Sequence, residues 1–363
     1  TDNAGNKSEV VSRTFKVDLA DPGFDETNSE IEGQSLVYKN KSVVFKGKVW
    51  DANGIESVTV KEKNGDPQPI TFTPADSKPD ENETNWSWTL EANTTTHEND
   101  GTYELVFTAK DTNGRTTSFT RNIMIDTTAP KVVINSPAEN EAVGSNSYTI
   151  RGTVDDGEGK GVSTLEYSLD NTNWTAITKA AAWSATGVNF SSGGQGAKTL
   201  WVRASDGLND AVVKSVSFQY DTENPVLSET TSTLGEAQVN RNTAVSFGGT
   251  ATDSNKLASL KLSGFGEEII IDVNEDGEWS WTLPNTTNGT YALVFTATDV
   301  AGKTASIKRN VLIDTTKPIL SEITTLTASW HKNATISVNG TASDTGSGLA
   351  KVEYQTRTSS SAD

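Results

Sequence analysis

Short runs in which apolar and polar residues alternate recur along the chain, the two-residue period of a strand with one face on a core. The runs come in a fixed order. Val43 and Phe45, Tyr148 and Ile150, Val245 and Phe247, and Ile336 and Val338 each lead into a Gly-x-x-x-Asp, at Gly47/Asp51, Gly152/Asp156, Gly249/Asp253 and Gly340/Asp344. This pattern predicts a strand B followed by a B–C loop. The next run repeats one apolar spacing, Ile55/Val58/Val60, Val162/Leu165/Tyr167, Leu257/Leu260/Leu262 and Leu349/Val352/Tyr354, and predicts strand C. A glycine with an aspartate ten residues on, Gly101/Asp111, Gly196/Asp206 and Gly289/Asp299, brackets strand F and opens the F–G loop. Strand G ends in Ile123/Ile125, Phe218/Tyr220 and Val311/Ile313, directly before an Asp-x-x-x-Pro junction.

These junctions start at Asp18, Asp126, Asp221 and Asp314, at intervals of 108, 95 and 93 residues, the size of one β-sandwich. Three complete repeats are expected, 18–125, 126–220 and 221–313, with no linker between them. Residues 1–17 carry Asp2, Gly5, Phe15 and Val17, the F–G loop and strand G of a preceding repeat. Residues 314–363 supply a junction and strands A to C of a further one. A lone strand G cannot bury its apolar face, so 1–17 is expected to be disordered or to pair with something else, and the native termini are expected to lie elsewhere.

Composition narrows the partners. Apolar residues make up 34% of the 363, too few and too scattered for long helices or a membrane span within this segment. The net charge of −18 repels nucleic acid and anionic lipid and attracts cations. With no cysteine, there is neither a disulfide framework nor a thiolate metal site.

The runs Ile125-Asp126-Thr127-Thr128-Ala129-Pro130, Gly289 to Asp299 and Ser168 to Trp174 resemble the bacterial immunoglobulin-like repeats of large surface adhesins and secreted cell-wall-associated proteins. The resemblance covers essentially the whole chain. It implies an all-β fold, tandem immunoglobulin-like β-sandwich domains in a linear array, and an extracellular, bacterial cell-surface location. The F–G loop of the second repeat, Asp206-Gly207-Leu208-Asn209-Asp210, departs from the Asp-x-x-Gly of the others.

In an immunoglobulin-like topology the B–C and F–G loops lie at the pole where the chain enters from the preceding repeat. Three acidic positions should therefore converge at each boundary: Asp18 or Asp21 with Asp51 and Asp111; Asp126 with Asp155, Asp156 and Asp206; Asp221 with Asp253 and Asp299. The fourth boundary has Asp314 and Asp344. Gathered like charge is costly unless a cation or protons compensate it, and calcium takes six to eight oxygens without strict geometry. The rival explanation is that Asp is a good turn residue satisfying its own loop. Turn chemistry accounts for each Asp singly, but not for the recurrence of all three at one pole.

Other motifs point to structure. Asp272-x-Asn274-x-Asp276-Gly277 opens like a calcium loop, but Leu283 stands where the closing glutamate belongs, so a hairpin turn is expected. Trp86/Trp88 and Trp279/Trp281 share a face with Leu90 and Leu283, which predicts core rather than a sugar platform. Trp201 is expected to face outward between Leu200 and Val202. Tyr103 and Tyr291 fit a tyrosine corner. The sequons at Asn85, Asn93, Asn285 and Asn288 arise readily in a chain this rich in Asn, Ser and Thr. His97 and His331 lie in loops of different repeats, and a sandwich of this size has no room for a catalytic pocket.

The function expected is non-enzymatic: an extended stalk or spacer of a bacterial cell-surface adhesin, stiffened by calcium at the inter-repeat junctions, with neighbouring repeats as its first partners. Two alternatives stay open. The repeats could themselves bind a glycan or a surface protein, or they could be accessory modules of a secreted polysaccharide-degrading enzyme.

Overall fold

The structure, a computed structural model, describes residues 1–27, 36–74, 83–324 and 335–356. Among the described residues there is no helix, and every regular element is a strand. Their contacts gather into two compact units, Thr1–Ala138 with Thr149–Val188 and Thr199–Val216, and Glu139–Tyr148 with Asn189–Lys198 and Ser217–Asp363. The first unit holds the first sandwich and the second unit the third. The strands of the second sandwich are divided between them.

In the first sandwich one sheet has the order Gly23–Phe24 (strand A), Val43–Trp50 (B), Glu83–Leu90 (E), Phe72–Pro74 (D). The other runs Val37–Lys39 (A′), Thr116–Ile125 (G), Gly101–Asp111 (F), Ile55–Glu62 (C), Gln68–Pro69 (C′). The third sandwich repeats this with Val226–Leu227, Val245–Thr252 and Glu278–Leu283 against Val239–Arg241, Thr304–Ile313, Gly289–Asp299, Leu257–Ser263 and Ile269–Ile271. The second has sheets of three and five strands in the same sequence of roles, with Lys131–Ser136, Tyr148–Asp155 and Ala182–Val188 in one. Its other sheet contains Ala142–Val143, Val212–Tyr220, Gly196–Ser205, Thr164–Ser168 and Thr175–Ala176. In all three the A′ strand pairs in parallel with strand G.

The alternation in sequence becomes alternation in burial. Along Val43–Trp50 every second residue is buried. Phe45, Trp86, Phe107 and Ile123 fill the first core, and Phe247, Trp279, Phe295 and Val311 the third. Trp86 and Trp279 are thus core residues. Each indole N–H donates to a strand A carbonyl, that of Asp25 at 3.0 Å and that of Ser228 at 3.2 Å.

That same carbonyl explains the strand B glycine. A Cβ at Gly47 would stand 2.1 Å from the Asp25 oxygen, and one at Gly249 2.3 Å from the Ser228 oxygen. In the second repeat a Cβ at Gly152 would meet the Val133 oxygen at 2.0 Å. The sheet closes on its first strand only where this position has no side chain. Just beyond strand A, the side chains of Glu26 and Glu229 are buried and paired with Arg121 and Arg309 of strand G at 2.5 and 3.1 Å.

Tyr103 donates its hydroxyl to the Asn99 carbonyl at 2.8 Å, and Tyr291 to that of Thr287 at 3.0 Å, so both form the corner. The second repeat has Lys198 at this place, and its ammonium reaches back to the Ser192 carbonyl at 2.6 Å. Residues 274–278 form a turn closed by the Gly277 N–H on the Asn274 carbonyl, beside a bridge between Val273 and Trp279. Trp201 lies off the core side of its strand, between buried Leu200 and Val202, and is half-buried.

At the two ends few strands form. No strand forms in 1–17, where Val10, Val11 and Phe15 are exposed, although the Asp2 carboxylate caps the N–H groups of Ala4 and Asn6 as an F–G loop aspartate does. Beyond Asp314 the hairpin Ile319–Glu322 with Gly340–Ser343 is the only strand pair among the described residues. Ile336 and Val338 precede that strand instead of lying in it, and Leu349, Val352 and Tyr354 are exposed and in no strand. In each sandwich strand C pairs with strand F, and 349–354 has no such partner among the described residues. His331 lies outside the described residues.

Candidate metal centres at the repeat boundaries

Three junction aspartates leave the end of strand G with their N–H still in the sheet. Those of Asp126, Asp221 and Asp314 donate to the carbonyls of Lys39, Val143 and Arg241, the last residues of the A′ strands or their neighbours. One carboxylate oxygen then turns the chain. Oδ1 accepts the N–H two residues on, from Ala20 for Asp18, Thr128 for Asp126, Glu223 for Asp221 and Thr316 for Asp314, at 3.0–3.2 Å. Oδ2 turns to the loops of the next repeat, accepting the Asn113 side chain at Asp18, the Lys160 N–H at Asp126 and the Ser347 N–H at Asp314, while Asp221 Oδ2 has no donor.

The loop aspartates behave alike. In the F–G loops, Asp111 Oδ1 accepts from Asn113 and Arg115, Asp206 Oδ1 from Leu208 and Asn209, and Asp299 Oδ1 from Lys303. In the B–C loops, Asp51 Oδ1 accepts from Asn53, and Asp253 Oδ1 from Asn255 and Lys256. Asp156 accepts the Gly161 N–H on Oδ2. In each loop one oxygen of the aspartate takes the backbone N–H groups, and Asp206 Oδ2 also accepts the Asn209 side-chain amide at 2.9 Å.

The aspartates of each boundary converge. Asp18, Asp51 and Asp111 form one triad, Asp126, Asp156 and Asp206 a second, and Asp221, Asp253 and Asp299 a third; within each, three oxygens lie within 4.8 Å of one another. Asp111, Asp126, Asp206, Asp221 and Asp299 are almost fully buried, at 0–2% exposure. Four oxygens, Asp111 Oδ2, Asp156 Oδ1, Asp221 Oδ2 and Asp299 Oδ2, are buried with no hydrogen-bond partner. Turn formation therefore leaves part of every triad unexplained, since a buried anionic oxygen without a donor is costly. Burial raises the Asp156 carboxyl to about 6; the Gly161 N–H pulls it back, and the carboxylates of Asp126, Asp206 and Asp155 push it further up. Asp18, on the open side of its triad, is lowered by donors from the side chains of Asn113 and Asn53 and the N–H of Ala20.

Not every acidic position joins. Asp21 is exposed and bound to Arg115 Nε at 2.8 Å, so Asp18 alone represents its junction. Asp155 ends strand B with its side chain outward and accepts from Gly157. Asp314 and Asp344 form no triad. Asp314 Oδ2 accepts the Ser347 N–H at 2.7 Å, and Asp344 Oδ1 those of Gly346 and Gly348. The N–H and hydroxyl of Ser347, with the N–H of Thr316, lower the Asp314 carboxyl.

One set of residues was not anticipated from sequence. The side chain immediately before the strand F glycine reaches the residue after each junction aspartate. Asp100 accepts the N–H and hydroxyl of Thr127 at 3.0 and 2.7 Å. Gln195 accepts the Thr222 N–H at 2.9 Å and donates to its hydroxyl at 2.7 Å. Asn288 accepts the N–H and hydroxyl of Thr315 at 3.0 and 2.9 Å. Asp, Gln and Asn share no single-letter signal, and only the glycine that follows marks the place. Asn288, read as a sequon, has its amide engaged by Thr315 and Thr316.

Family models match three consecutive stretches: a bacterial Ig-like domain over 22–127, a bacterial Ig domain over 130–202, and a bacterial Ig-like domain over 224–315. The chain is a tandem series of bacterial Ig-like domains. No curated protein matches it. Solved structures with similar folds include the fibronectin(III)-like modules of Clostridium thermocellum CbhA, 18% identical, over 50% of this chain and 94% of that one, with a TM-score of 0.34. A 1.5-MDa bacterial ice-binding adhesin is 19% identical over 79% and 96%, with a TM-score of 0.32. A tetra-tandem repeat from the extending region of a large adhesion protein is 18% identical over 78% and 73%, with a TM-score of 0.28. At such identities and scores the likeness identifies no site, ligand or partner. Among the described residues no helix is long and apolar enough to cross a membrane.

Proposed function

We propose that these Ig-like repeats are a non-enzymatic structural spacer of a bacterial surface or secreted protein, and that calcium held by the boundary triads restricts movement between neighbouring repeats. The carrying observation is that every triad, in which each aspartate offers one oxygen within 4.8 Å of the other two, also contains a buried carboxylate oxygen with no donor. Oxygens bound to one calcium at roughly 2.4 Å can be no more than about 4.8 Å apart, so the triads have the dimensions of the first shell. Carbonyls of the same loops and water would complete six to eight ligands. Three carboxylates exceed the charge of one divalent ion, which favours calcium over a monovalent cation.

The junction aspartate belongs to the chain leaving one repeat, and the other two to loops of the next. A bound ion would thus tie that chain to those loops and remove freedom that a connection without linker residues otherwise keeps. Adding millimolar calcium to chelator-treated protein should raise the melting temperature, and solution scattering should show a narrower spread of dimensions. Identical melting and scattering in chelator and calcium would refute the role of the ion. Saturable binding of the isolated chain in a glycan screen would favour repeats that are adhesive in their own right.

A further inference from the structure

We propose that Asp100, Gln195 and Asn288, the residues directly before the strand F glycines, hold the chain just after Asp126, Asp221 and Asp314, and that Asp100 and Gln195 are thereby positioning residues that set Asp126 and Asp221 for a cation. The proposal rests on the calcium reading above but adds a part of the protein that touches no triad.

Three repeats place an Asp, a Gln and an Asn at one position, and each grips the backbone N–H and the hydroxyl of the threonine that follows the junction aspartate. The grip is made by the preceding repeat, before the chain reaches the next. A two-point hold on one residue fixes its orientation as well as its place. At the Asp126 junction it is extended: Asp100 also accepts the Thr128 hydroxyl at 2.8 Å, and His97 Nδ1 lies 2.7 Å from the Thr127 hydroxyl.

The gripping residue is itself held. The tyrosine corner binds the carbonyl of Asn99 or Thr287, the residue immediately before Asp100 or Asn288. Lys198 holds the same loop in the second repeat through the Ser192 carbonyl. From core to junction the sequence of contacts is strand F, corner hydroxyl, gripping side chain, threonine.

The junction aspartate is then bracketed. Its N–H is bound by the A′ strand, the next residue by the gripping side chain, and the N–H after that by its own Oδ1. With these three restraints both the backbone and the carboxylate of Asp221 are held, and the carboxylate is delivered to Asp253 and Asp299 with little further ordering. Preorganisation of this kind raises affinity by lowering the entropy lost on binding.

Gln195→Ala in the full chain tests this, with Asp100→Ala and Asp100→Asn as the second pair. Amide hydrogen exchange at Thr222 and Thr127 is measured in chelator, and calcium chloride binding by calorimetry. Gln195→Ala should speed exchange at Thr222 about tenfold, as expected for loss of its acceptor, and weaken calcium at the Asp221 site by a similar factor. Exchange in the strands of the flanking sandwiches should not change. Asp100→Asn should behave as wild type, because Asn288 performs the same task, whereas Asp100→Ala should loosen Thr127. Unchanged exchange at Thr222 in Gln195→Ala, or Asp100→Asn failing as badly as Asp100→Ala, overturns the proposal. If the wild-type chain binds no calcium, the calcium reading falls, and the exchange measurement alone decides whether these residues set the junction.

Discussion

Asp156→Asn separates a cation ligand from a turn former by the sign of its effect. Asparagine keeps an acceptor for the Gly161 N–H and replaces the orphaned anionic oxygen with a neutral amide. In the wild-type protein without metal, burial and the neighbouring carboxylates raise the Asp156 carboxyl from 3.8 to about 6. A displacement of that size corresponds to about 3 kcal/mol, which partial exposure to solvent reduces to roughly 1–2 kcal/mol at pH 7. Because the folded state binds this proton more tightly than the unfolded chain, the contribution to stability is fully present below pH 3.8 and is lost as pH rises through about 6. In chelator at pH 7 the variant should therefore melt higher than wild type, by roughly 5–10 °C for a repeat of this size. At pH 4.5 the gap should close. In millimolar calcium the order should reverse, since wild type gains the ion and the variant loses a ligand. Calorimetry of the full chain under these three conditions is the assay. A variant destabilised by the same amount in all of them would show that Asp156 serves its loop alone.

Further consequences concern the fold. Gly249→Ala puts a Cβ 2.3 Å from the Ser228 oxygen, which also accepts from Trp279, and should cost at least about 2 kcal/mol in a denaturant melt. Arg309→Met strands a Glu229 side chain that is 0% exposed and should cost about 3–5 kcal/mol at pH 7. In wild type, burial pushes the Glu229 carboxyl up, but the donors of Ser232 and Arg309 outweigh it and the net shift is downward. Its stabilisation is thus present above the ordinary carboxylate range and lost in acid, so the gap between variant and wild type should narrow as pH falls below 4.5. Tyr103→Phe removes the corner hydrogen bond to Asn99 and should cost about 1 kcal/mol, with hydrogen exchange raised first in the loop 93–100.

Much of this architecture was legible because each recurrent residue answers a local physical demand. The strand B glycine recurs where strand A comes too close for a Cβ, and Phe45, Ile150 and Phe247 recur at one register because one face of that strand is core. The triads were legible as far as topology fixes which loops share a pole. Choosing between Asp18 and Asp21, or between Asp155 and Asp156, was beyond sequence, because adjacent or near-adjacent carboxylates in a turn differ only in where the backbone points them. Arg115 takes Asp21, and strand B ends with Asp155 outward. The threonine grip was invisible because Asp100, Gln195 and Asn288 share reach and acceptor chemistry rather than identity. Strand periodicity in 349–354 did not yield a strand, since alternation supplies a face but not the neighbour that strand C needs.

The most direct measurement is the number of calcium ions held per chain, by native mass spectrometry of the intact protein, with Asp111→Asn, Asp206→Asn and Asp299→Asn beside wild type. Three complete triads predict three tightly bound ions and the loss of one in each variant. A wild-type chain that carries no calcium, or variants that keep the full number, would contradict the account.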